Sequence, residues 1–508
     1  MPSKKRLIIN MFANALAFTV QFGINFFLTP YIVSTLGSEA YGFIPLVNNI
    51  IGYASIITVA LDSISARFIT IEITRGNYQK ANSYFNSVLL ADTILALLLM
   101  MPSLLFILKI NDIINVPVDL LVDVQLTFFF AFLTFFVNLI FAVIGCCYYV
   151  KNRVDLNAKR SIESNIIRAC ILIALFTLNK PHIFFVTITT AVVAMYLFAC
   201  NIHYSRKLTP ELRVDLHKFS FLVIKEMLST GVWNSINALS STLLTGLDLL
   251  LANIFLGASQ SGEYALVKTV PNFICQLVIV VLSAFVPEFN ILYAKGDKKE
   301  LLKSVDFSLR IMGYLVTIPI GFLIVFGKEF FSAWVPGQNV DLLQQLSIMT
   351  LLPLIAICGT DSITKIYTVT NKLRTPAIFM IIMGILNATG DYLLFTFTSL
   401  GIWVIPCVSF IVNIIIQLLF TPIFGAYCLH LKWNTFYLSI ARSCSCAIVV
   451  ISVSLLFKFI IQPQGWFSLF LTGFLCSILS LIFSFFIAFD KDVRVRIVAI
   501  LKSKLQKQ

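Results

Sequence analysis

The segment Ile8–Pro30, IINMFANALAFTVQFGINFFLTP, is long and apolar enough to cross a membrane, but four amides interrupt it: Asn10, Asn14, Gln21 and Asn25. Because an α-helix turns by about 100° per residue, these side chains fall within an arc of roughly 60°. A buried amide without a hydrogen-bond partner costs about 1–3 kcal/mol, so we do not expect this face to contact lipid. Two interpretations remain open: the amides bind neighbouring helices, or they line a path for a polar cargo.

The composition indicates a polytopic membrane protein, since 59% of the 508 residues are hydrophobic and only 12% are charged. Apolar stretches of about 18 residues or more recur along the chain, each able to cross roughly 30 Å of hydrocarbon as a helix. We therefore predict an all-α fold. The fourteen predicted spans lie at about 8–33, 42–66, 83–108, 122–148, 161–178, 181–203, 226–255, 263–289, 303–327, 342–368, 376–398, 400–425, 437–461 and 466–488.

Basic residues are distributed unevenly between the two ends of these spans. With the amino terminus in the cytoplasm, the inward loops and both tails hold 30 of the 37 lysines and arginines, while four lie in outward loops and three within helices. Basic residues concentrate on the cytoplasmic side of membrane proteins. We therefore predict that both termini are cytoplasmic, and the net charge of +13 gives no reason to expect a nucleic acid partner.

Other sequence signals give no indication of a cleaved leader, a metal or a cofactor. No small-residue cleavage site follows the first segment, so we expect it to remain as a span. Most of the eleven cysteines lie in apolar stretches, which is typical of packing residues, and the four histidines are scattered at helix ends.

An internal repeat with a shift of about 220 residues relates the two halves of the chain. Its landmarks are Leu36-Gly37 with Leu256-Gly257, Arg75-Gly76-Asn77 with Lys295-Gly296-Asp297 and, at a shift of 219, Asn152-Arg153 with Asn371-Lys372. The positions that correspond to the four amides of the first span are all polar in the second half, namely Thr230, Asn234, Ser241 and Thr245. Asp248 continues that face. Two related polar faces favour a cavity lining over simple helix contacts.

The repeat predicts the organisation of the chain into lobes. An even number of spans in each repeat gives the two halves the same orientation, with their symmetry axis along the membrane normal. We predict an N-lobe at 1–203, a cytoplasmic linker at 204–225, a C-lobe at 226–428, and two additional helices with a basic tail at 429–508. The substrate site is then expected between the lobes, with access alternating between the two membrane faces.

The hairpin motif Leu36-Gly37-x-x-x-Tyr41-Gly42, the fourteen spans and the repeated basic-glycine loops resemble the polysaccharide transporter family of the MOP superfamily, which includes Wzx-type O-antigen flippases. The resemblance covers essentially the whole chain as architecture. It implies two lobes around a cavity lined by the first and seventh helices. It also implies translocation of undecaprenyl-pyrophosphate-linked oligosaccharide to the outer leaflet of a bacterial plasma membrane, coupled in some members to an ion gradient.

A pyrophosphate cargo requires a cationic, hydrated cavity. Lys268 is the first candidate, although it lies at the depth of Asp248 and could form a structural ion pair with it. Arg168 is the second, although its side chain could extend to the inner membrane surface. Arg310 is the third, and Asp306 one turn earlier could neutralise it. The other predicted cavity residues are Asn14, Gln21, Asn25, Asn234, Ser241 and Asp248.

Four acidic residues within the predicted spans are candidates for ion coupling: Asp92, Asp62, Asp361 and Asp391. Such a carboxyl group is protonated, hydrogen-bonded or part of an ion path when it has no cation at helical spacing. Asp361 differs from the others because Lys365 follows one turn later. We favour Asp92, and Asn387, four residues before Asp391, marks a second candidate site.

Three other functions fit parts of the sequence. A multidrug extruder of the same superfamily would bind a cationic drug through carboxylates, and a lipid II flippase would carry another lipid-linked precursor. An enzyme of polysaccharide synthesis would need a catalytic platform outside the membrane, but the loops are short and carry no nucleophile-base motif. We expect a transporter that acts as a monomer, without a cofactor, on a lipid-linked oligosaccharide.

Overall fold

The computed structural model describes residues 4–283, 285–491 and 494. Fourteen helical spans in this described part are long and apolar enough to cross a membrane, as predicted. We number them α1 Lys4–Leu36, α2 Ser38–Thr74, α3 Tyr78–Leu108, α4 Val118–Val150, α5 Val154–Leu178, α6 Phe184–Leu208, α7 Phe221–Leu256, α8 Ala258–Ser283, α9 Lys298–Trp334, α10 Val340–Cys358, α11 Arg374–Phe397, α12 Gly401–Leu429, α13 Tyr437–Ile460 and α14 Gly465–Ala488. Most of the predicted basic tail lies outside the described residues.

Unusual backbone conformations occur at equivalent positions of the sequence repeat. Three pairs of residues, one from each half, have positive φ angles: Gly37 (86°) with Gly257 (88°), Gly76 (77°) with Gly296 (73°), and Asn152 (52°) with Asn371 (55°). Positive φ favours glycine and, among other residues, asparagine. The landmarks of the sequence repeat are therefore the residues that allow the chain to turn between spans.

The turns before α3 and α9 also close in the same way. The side chain of Asn77 accepts a hydrogen bond from the backbone N–H of Lys80 at 3.1 Å, and that of Asp297 accepts one from Glu300 at 3.0 Å. Each side chain satisfies an N–H group that the start of a helix leaves without a partner. The two basic-glycine loops are therefore equivalent in structure as well as in sequence.

By its contacts, the chain divides into two compact units, Met1–Ala265 with Met380–Ala388 and Leu266–Phe379 with Thr389–Gln508. In the first unit, α1 packs on α5, α2 packs on α3 and α7, and α4 packs on α6. This unit extends beyond the predicted N-lobe because α7 packs closely on α2: a Cβ atom on Gly231 would lie 1.8 Å from the carbonyl oxygen of Ala60. The lobe boundaries, which follow the repeat, stay a prediction.

Two equivalent glycines of the repeat contact each other in this first unit. Gly42 on α2 lies against Gly262 on α8, and a Cβ atom on Gly42 would be 2.7 Å from the Cα atom of Gly262. The two positions are 220 residues apart in the chain. Small residues allow helices to approach closely within a membrane. The second glycine of the hairpin motif therefore serves helix packing.

In the second unit, α9 packs on α10, α13 and α14. Glycines on α9 make room for α13: Gly313 lies against Ser443, and Gly321 lies against Val450. The two helices that have no counterpart in the repeat therefore pack against α9 of this unit.

The segment that joins α6 to α7 is bound along α3. α6 ends at Leu208 and α7 begins at Phe221, so residues 209–220, within the predicted linker 204–225, connect the two helices. Asn82 and Asn86, one turn apart on α3, are both buried. Their amides make four hydrogen bonds of 2.7–2.9 Å to linker backbone groups, namely Glu211 C=O, Arg213 N–H, Arg213 C=O and Asp215 N–H.

Candidate functional site

The amide face of α1 has a buried end and an exposed middle. Asn10 is buried, where its Nδ2 donates a hydrogen bond to Oδ1 of Asn152 and its Oδ1 accepts one from the N–H of Asp155, both at 3.0 Å. Asn14 and Gln21 are exposed. Asn10 therefore binds a neighbouring turn, which is the first of the two interpretations. The two middle amides stay candidates for the second.

Arg168 on α5 contacts the last amide of this face. Its Nη2 atom donates a hydrogen bond to Oδ1 of Asn25 on α1. Its Nε atom is buried and has no acceptor among the described residues. A guanidinium group presents several donors in one plane, a geometry that matches two oxygens of a phosphate. The contact thus leaves the Nε donor of Arg168 without an acceptor in the described part of the chain.

The equivalent face of α7 packs partly on α2. Asn234 Nδ2 donates a hydrogen bond to Ser63 Oγ at 2.9 Å, and Ser235 Oγ donates one to the carbonyl oxygen of Ile56 at 2.8 Å. The other side chains of this face, Thr230, Ser241 and Thr245, are exposed. Asn234 therefore links α7 to α2 by a hydrogen bond, while the side chain of Ser241 is exposed on the surface.

A π-helical turn, Thr242–Gly246, interrupts α7 just before Asp248. The carbonyl oxygen of Gly246 accepts hydrogen bonds from Asn49 Nδ2 at 3.0 Å and from the Tyr53 hydroxyl at 2.7 Å, both on α2. Asp248 then begins a regular helix and is buried. Such turns frequently mark functional sites. Sequence reasoning missed Tyr53, because one tyrosine in an apolar span is typical of packing.

Two of the ion-coupling candidates lie side by side. The carboxyl groups of Asp62 on α2 and Asp92 on α3 are within hydrogen-bonding range of each other. Thr58, one turn before Asp62, also contacts the Asp62 carboxyl group. Asp92 is fully buried, with 0% of its surface exposed. Spacing along one helix cannot predict this contact, because it depends on the register between two helices.

The remaining candidates occupy separate positions. Asp361 begins the short helix Asp361–Val369 after a break in the tenth span, and Lys365 one turn later interacts with its charge. Asp391 on α11 is buried, and Lys268 on α8 is half-buried. The pairing of Lys268 with Asp248 stays a prediction.

Arg310 on α9 is held in an ion-pair network. Its Nη2 lies 2.7 Å from Oδ2 of Asp306, which is the predicted pair, and its Nη1 lies 2.5 Å from Oδ2 of Asp490. Arg442 on α13 binds Asp490 as well, at 2.8 Å. The hydrogen bond from Arg310, together with that from Arg442, holds the pKa of Asp490 below its usual value. These contacts favour a structural role for Arg310 over a role in cargo binding.

Fourteen spans in the described part of the chain, with an arginine and paired carboxyl groups within them, are typical of membrane transporters. The fold is similar to that of the lipid II flippase MurJ in an inward closed conformation, with a TM-score of 0.65 and 12% identity, covering 94% of this chain and 98% of that one. It is also similar to an inward-facing multidrug resistance MATE family transporter of the MOP superfamily, with a TM-score of 0.62 and 14% identity, covering 84% and 97%. At these identities the likeness shows the fold alone.

Sequence similarity then gives the family. The chain is 30% identical over 489 residues to the uncharacterized membrane protein EpsK of Bacillus subtilis (strain 168), covering 96% of this chain and 97% of that protein. Residues 7–292 match the family described as polysaccharide biosynthesis protein. The chain belongs to this family, and the predicted resemblance is confirmed.

Proposed function

We propose that this protein is a flippase that moves undecaprenyl-pyrophosphate-linked oligosaccharide from the cytoplasmic to the outer leaflet of a bacterial plasma membrane. The movement proceeds by alternating access and is driven by an ion gradient. Family membership supports a role in polysaccharide biosynthesis. The fold shared with MurJ, a lipid II flippase, supports a lipid-linked cargo.

The observation that carries this proposal is the placement of Arg168 against Asn25. A pyrophosphate that leaves water needs cationic and hydrogen-bonding partners inside the membrane, because the cost of burying an unpaired charge is large. Arg168 supplies the charge, and its buried Nε has no acceptor within the described part of the chain. Gln21, one turn before Asn25, and Asn14, nearer the start of α1, add polar groups along the same face.

The orientation follows from the distribution of charge. Both termini and the basic loops lie in the cytoplasm, where anionic lipid of the inner leaflet attracts them. The carrier lipid then presents its pyrophosphate to Arg168 from the inner leaflet.

A strain that lacks this protein tests the proposal. We expect lipid-linked oligosaccharide to accumulate, surface polysaccharide to disappear and drug susceptibility to remain unchanged, with wild-type protein restoring export. Raised drug susceptibility with normal surface polysaccharide would instead support a multidrug extruder. Accumulation of lipid II in place of oligosaccharide would support the lipid II alternative.

A further inference from the structure

The paired carboxyl groups of Asp62 and Asp92 lie within the membrane-spanning helices α2 and α3. Asp62 stands 12 residues before the end of α2 at Thr74, and Asp92 stands 14 residues after the start of α3 at Tyr78. At about 1.5 Å per residue these positions lie roughly 18 and 21 Å along the helices from the basic turn that joins α2 to α3. Both residues belong to the first compact unit.

When both carboxyl groups are ionised, several of their oxygen atoms have no hydrogen-bond donor. Both carboxyl oxygens of Asp92 and Oδ1 of Asp62 are buried without a donor in the described part of the chain. An ionised carboxylate only accepts hydrogen bonds, so two of them cannot satisfy each other. In a medium of low dielectric constant, two like charges at this distance also repel strongly. One proton removes both difficulties, because a protonated carboxyl group donates to its neighbour.

Among the described residues, the surroundings supply no cationic partner for the pair. While α8 meets α2 at Gly42, the spans that pack most extensively on α2 and α3 are α1, α4 and α7. Their described titratable groups are Tyr31 on α1, Asp119, Asp123, Cys146, Cys147, Tyr148 and Tyr149 on α4, and Lys225, Glu226 and Asp248 on α7, and all lie toward span ends. On α2 and α3 themselves the nearest are Tyr53, Arg67 and Tyr84. No lysine or arginine of the described residues forms an ion pair with either carboxyl group.

A metal cation fits this place less well than a proton. Sodium and larger cations need several oxygen ligands around them, held apart by the ion. Here the two carboxyl groups lie within hydrogen-bonding range of each other, with Thr58 as the additional neighbour. Within the described residues, no group of three or more acidic, histidine or cysteine side chains is placed to hold a metal.

We propose that Asp62 and Asp92 form a two-carboxyl site that binds one proton and exchanges it with water during transport, and, resting on the proposed function, that this proton is the coupling ion. Asp92 holds the buried end of the site, and half-buried Asp62 is the end through which the proton enters and leaves. Binding converts one carboxylate into a carboxylic acid, and release returns the proton to water.

Asp62 lies next to the contact between α2 and α7. Its neighbour in the chain, Ser63, accepts the hydrogen bond from Asn234 of α7. One turn before Ser63, the carbonyl oxygen of Ala60 lies against Gly231 of the same helix. A change in charge at Asp62 therefore acts directly on the segment of α2 that packs on α7.

Infrared spectroscopy of the purified full-length protein tests the site. We expect the carbonyl stretch of a buried carboxylic acid at neutral pH, its loss on raising the pH with one proton released per molecule, and no change on adding sodium. Asp92→Asn and Asp62→Asn should each remove the band, whereas Asp112→Asn, an exposed outer-loop change, should keep it. Absence of the band from wild-type protein at neutral pH, or its removal by sodium, would overturn the proposal.

The wild-type titration needs no variant, so misfolding of either substitution leaves the test intact. It also needs no cargo, so a missing band contradicts the proton site without touching the flippase proposal. In proteoliposomes, wild-type transport should depend on the direction of an imposed proton gradient. Transport by Asp92→Asn should lose that dependence, and a gradient effect equal to that of wild type would also overturn the proposal.

Discussion

Arg168 on α5 and Asn25 on α1, 143 residues apart in the chain, are joined by a hydrogen bond from Nη2 to Oδ1. This contact directs a guanidinium group toward the polar face that the first span shows in its sequence. A lysine at this position would keep the charge but lose the planar arrangement of donors that binds two phosphate oxygens.

We expect Arg168→Lys to reduce transport of lipid-linked oligosaccharide at least roughly tenfold and Arg168→Gln to abolish it. A hydrogen bond to a charged group contributes about 1.5–3 kcal/mol, which corresponds to roughly 10–100-fold in affinity. Lys159→Gln, an exposed change on the same helix, is the matched control and should transport like wild type. Undiminished transport by Arg168→Gln at equal amounts of membrane protein would remove Arg168 from the site.

Arg310→Gln should instead destabilise the protein. It leaves Asp306 and Asp490 without their shared guanidinium, at a cost of about 1–3 kcal/mol in the free energy of unfolding. Thermal unfolding in detergent measures this loss. The exposed pair Lys328 with Asp341 provides the control, because Lys328→Gln should cost less than about 1 kcal/mol. A variant of Arg310 that keeps its stability but loses transport would show that Arg310 acts on the cargo.

The ion pairs of Arg310 and Arg442 with Asp490 also predict how the stability of the protein changes with pH. Asp490 has a lowered pKa in the folded protein, so its contribution is present above the ordinary aspartate pKa of about 4 and is lost as pH falls through the lower folded value. The difference in unfolding temperature between wild type and Asp490→Asn should therefore shrink below about pH 4. A difference that stays constant down to pH 2 would contradict this assignment.

The contact between Gly42 and Gly262 predicts opposite effects for two alanine substitutions on α2. Gly42→Ala places a Cβ atom 2.7 Å from the Cα atom of Gly262, whereas Gly52→Ala meets nothing within 4 Å. Overpacking typically costs about 1–3 kcal/mol, and alanine in place of an unhindered helical glycine adds about 0.5–1 kcal/mol. Unfolding temperatures should accordingly fall for Gly42→Ala and rise for Gly52→Ala. Equal temperatures for the two variants would show that the helices do not approach so closely.

Hydrogen exchange measures the stability of the hydrogen bonds between the linker and α3. Asn86→Ala leaves the N–H of Asp215 and the carbonyl oxygen of Arg213 without their partners. We expect faster exchange at residues 211–220, by roughly tenfold for each 1.4 kcal/mol of lost local stability. Gln79→Ala, an exposed change on the same helix, should leave the exchange unchanged. Fast exchange in the wild-type linker would show that its hydrogen bonds to Asn82 and Asn86 are not formed.

Much of the fold follows from residue patterns within single segments. The number of spans was predictable because each span is a long apolar stretch of sequence. The turns were predictable because they contain residues that tolerate positive φ, such as Gly76 and Asn152. The pairing of Arg310 with Asp306 was predictable as well, because the two residues stand one helical turn apart.

The site was less predictable, because its contacts join different helices. The partner of Arg168 on α1 and that of Asp92 on α2 depend on the register and rotation of packed helices, which periodicity does not give. The π-helical turn before Asp248 is held by Tyr53 from another span, so the local sequence does not show it.

The flippase proposal is tested most directly by transport in proteoliposomes that contain purified protein and fluorescent undecaprenyl-pyrophosphate-linked oligosaccharide. The measured quantity is the fraction of label that a membrane-impermeant quencher reaches over time. We predict that this fraction rises with wild-type protein, rises as fast with Lys159→Gln, and stays at the protein-free level with Arg168→Gln. No rise with wild-type protein, or an equal rise with Arg168→Gln, would contradict a flippase whose cargo is held by Arg168.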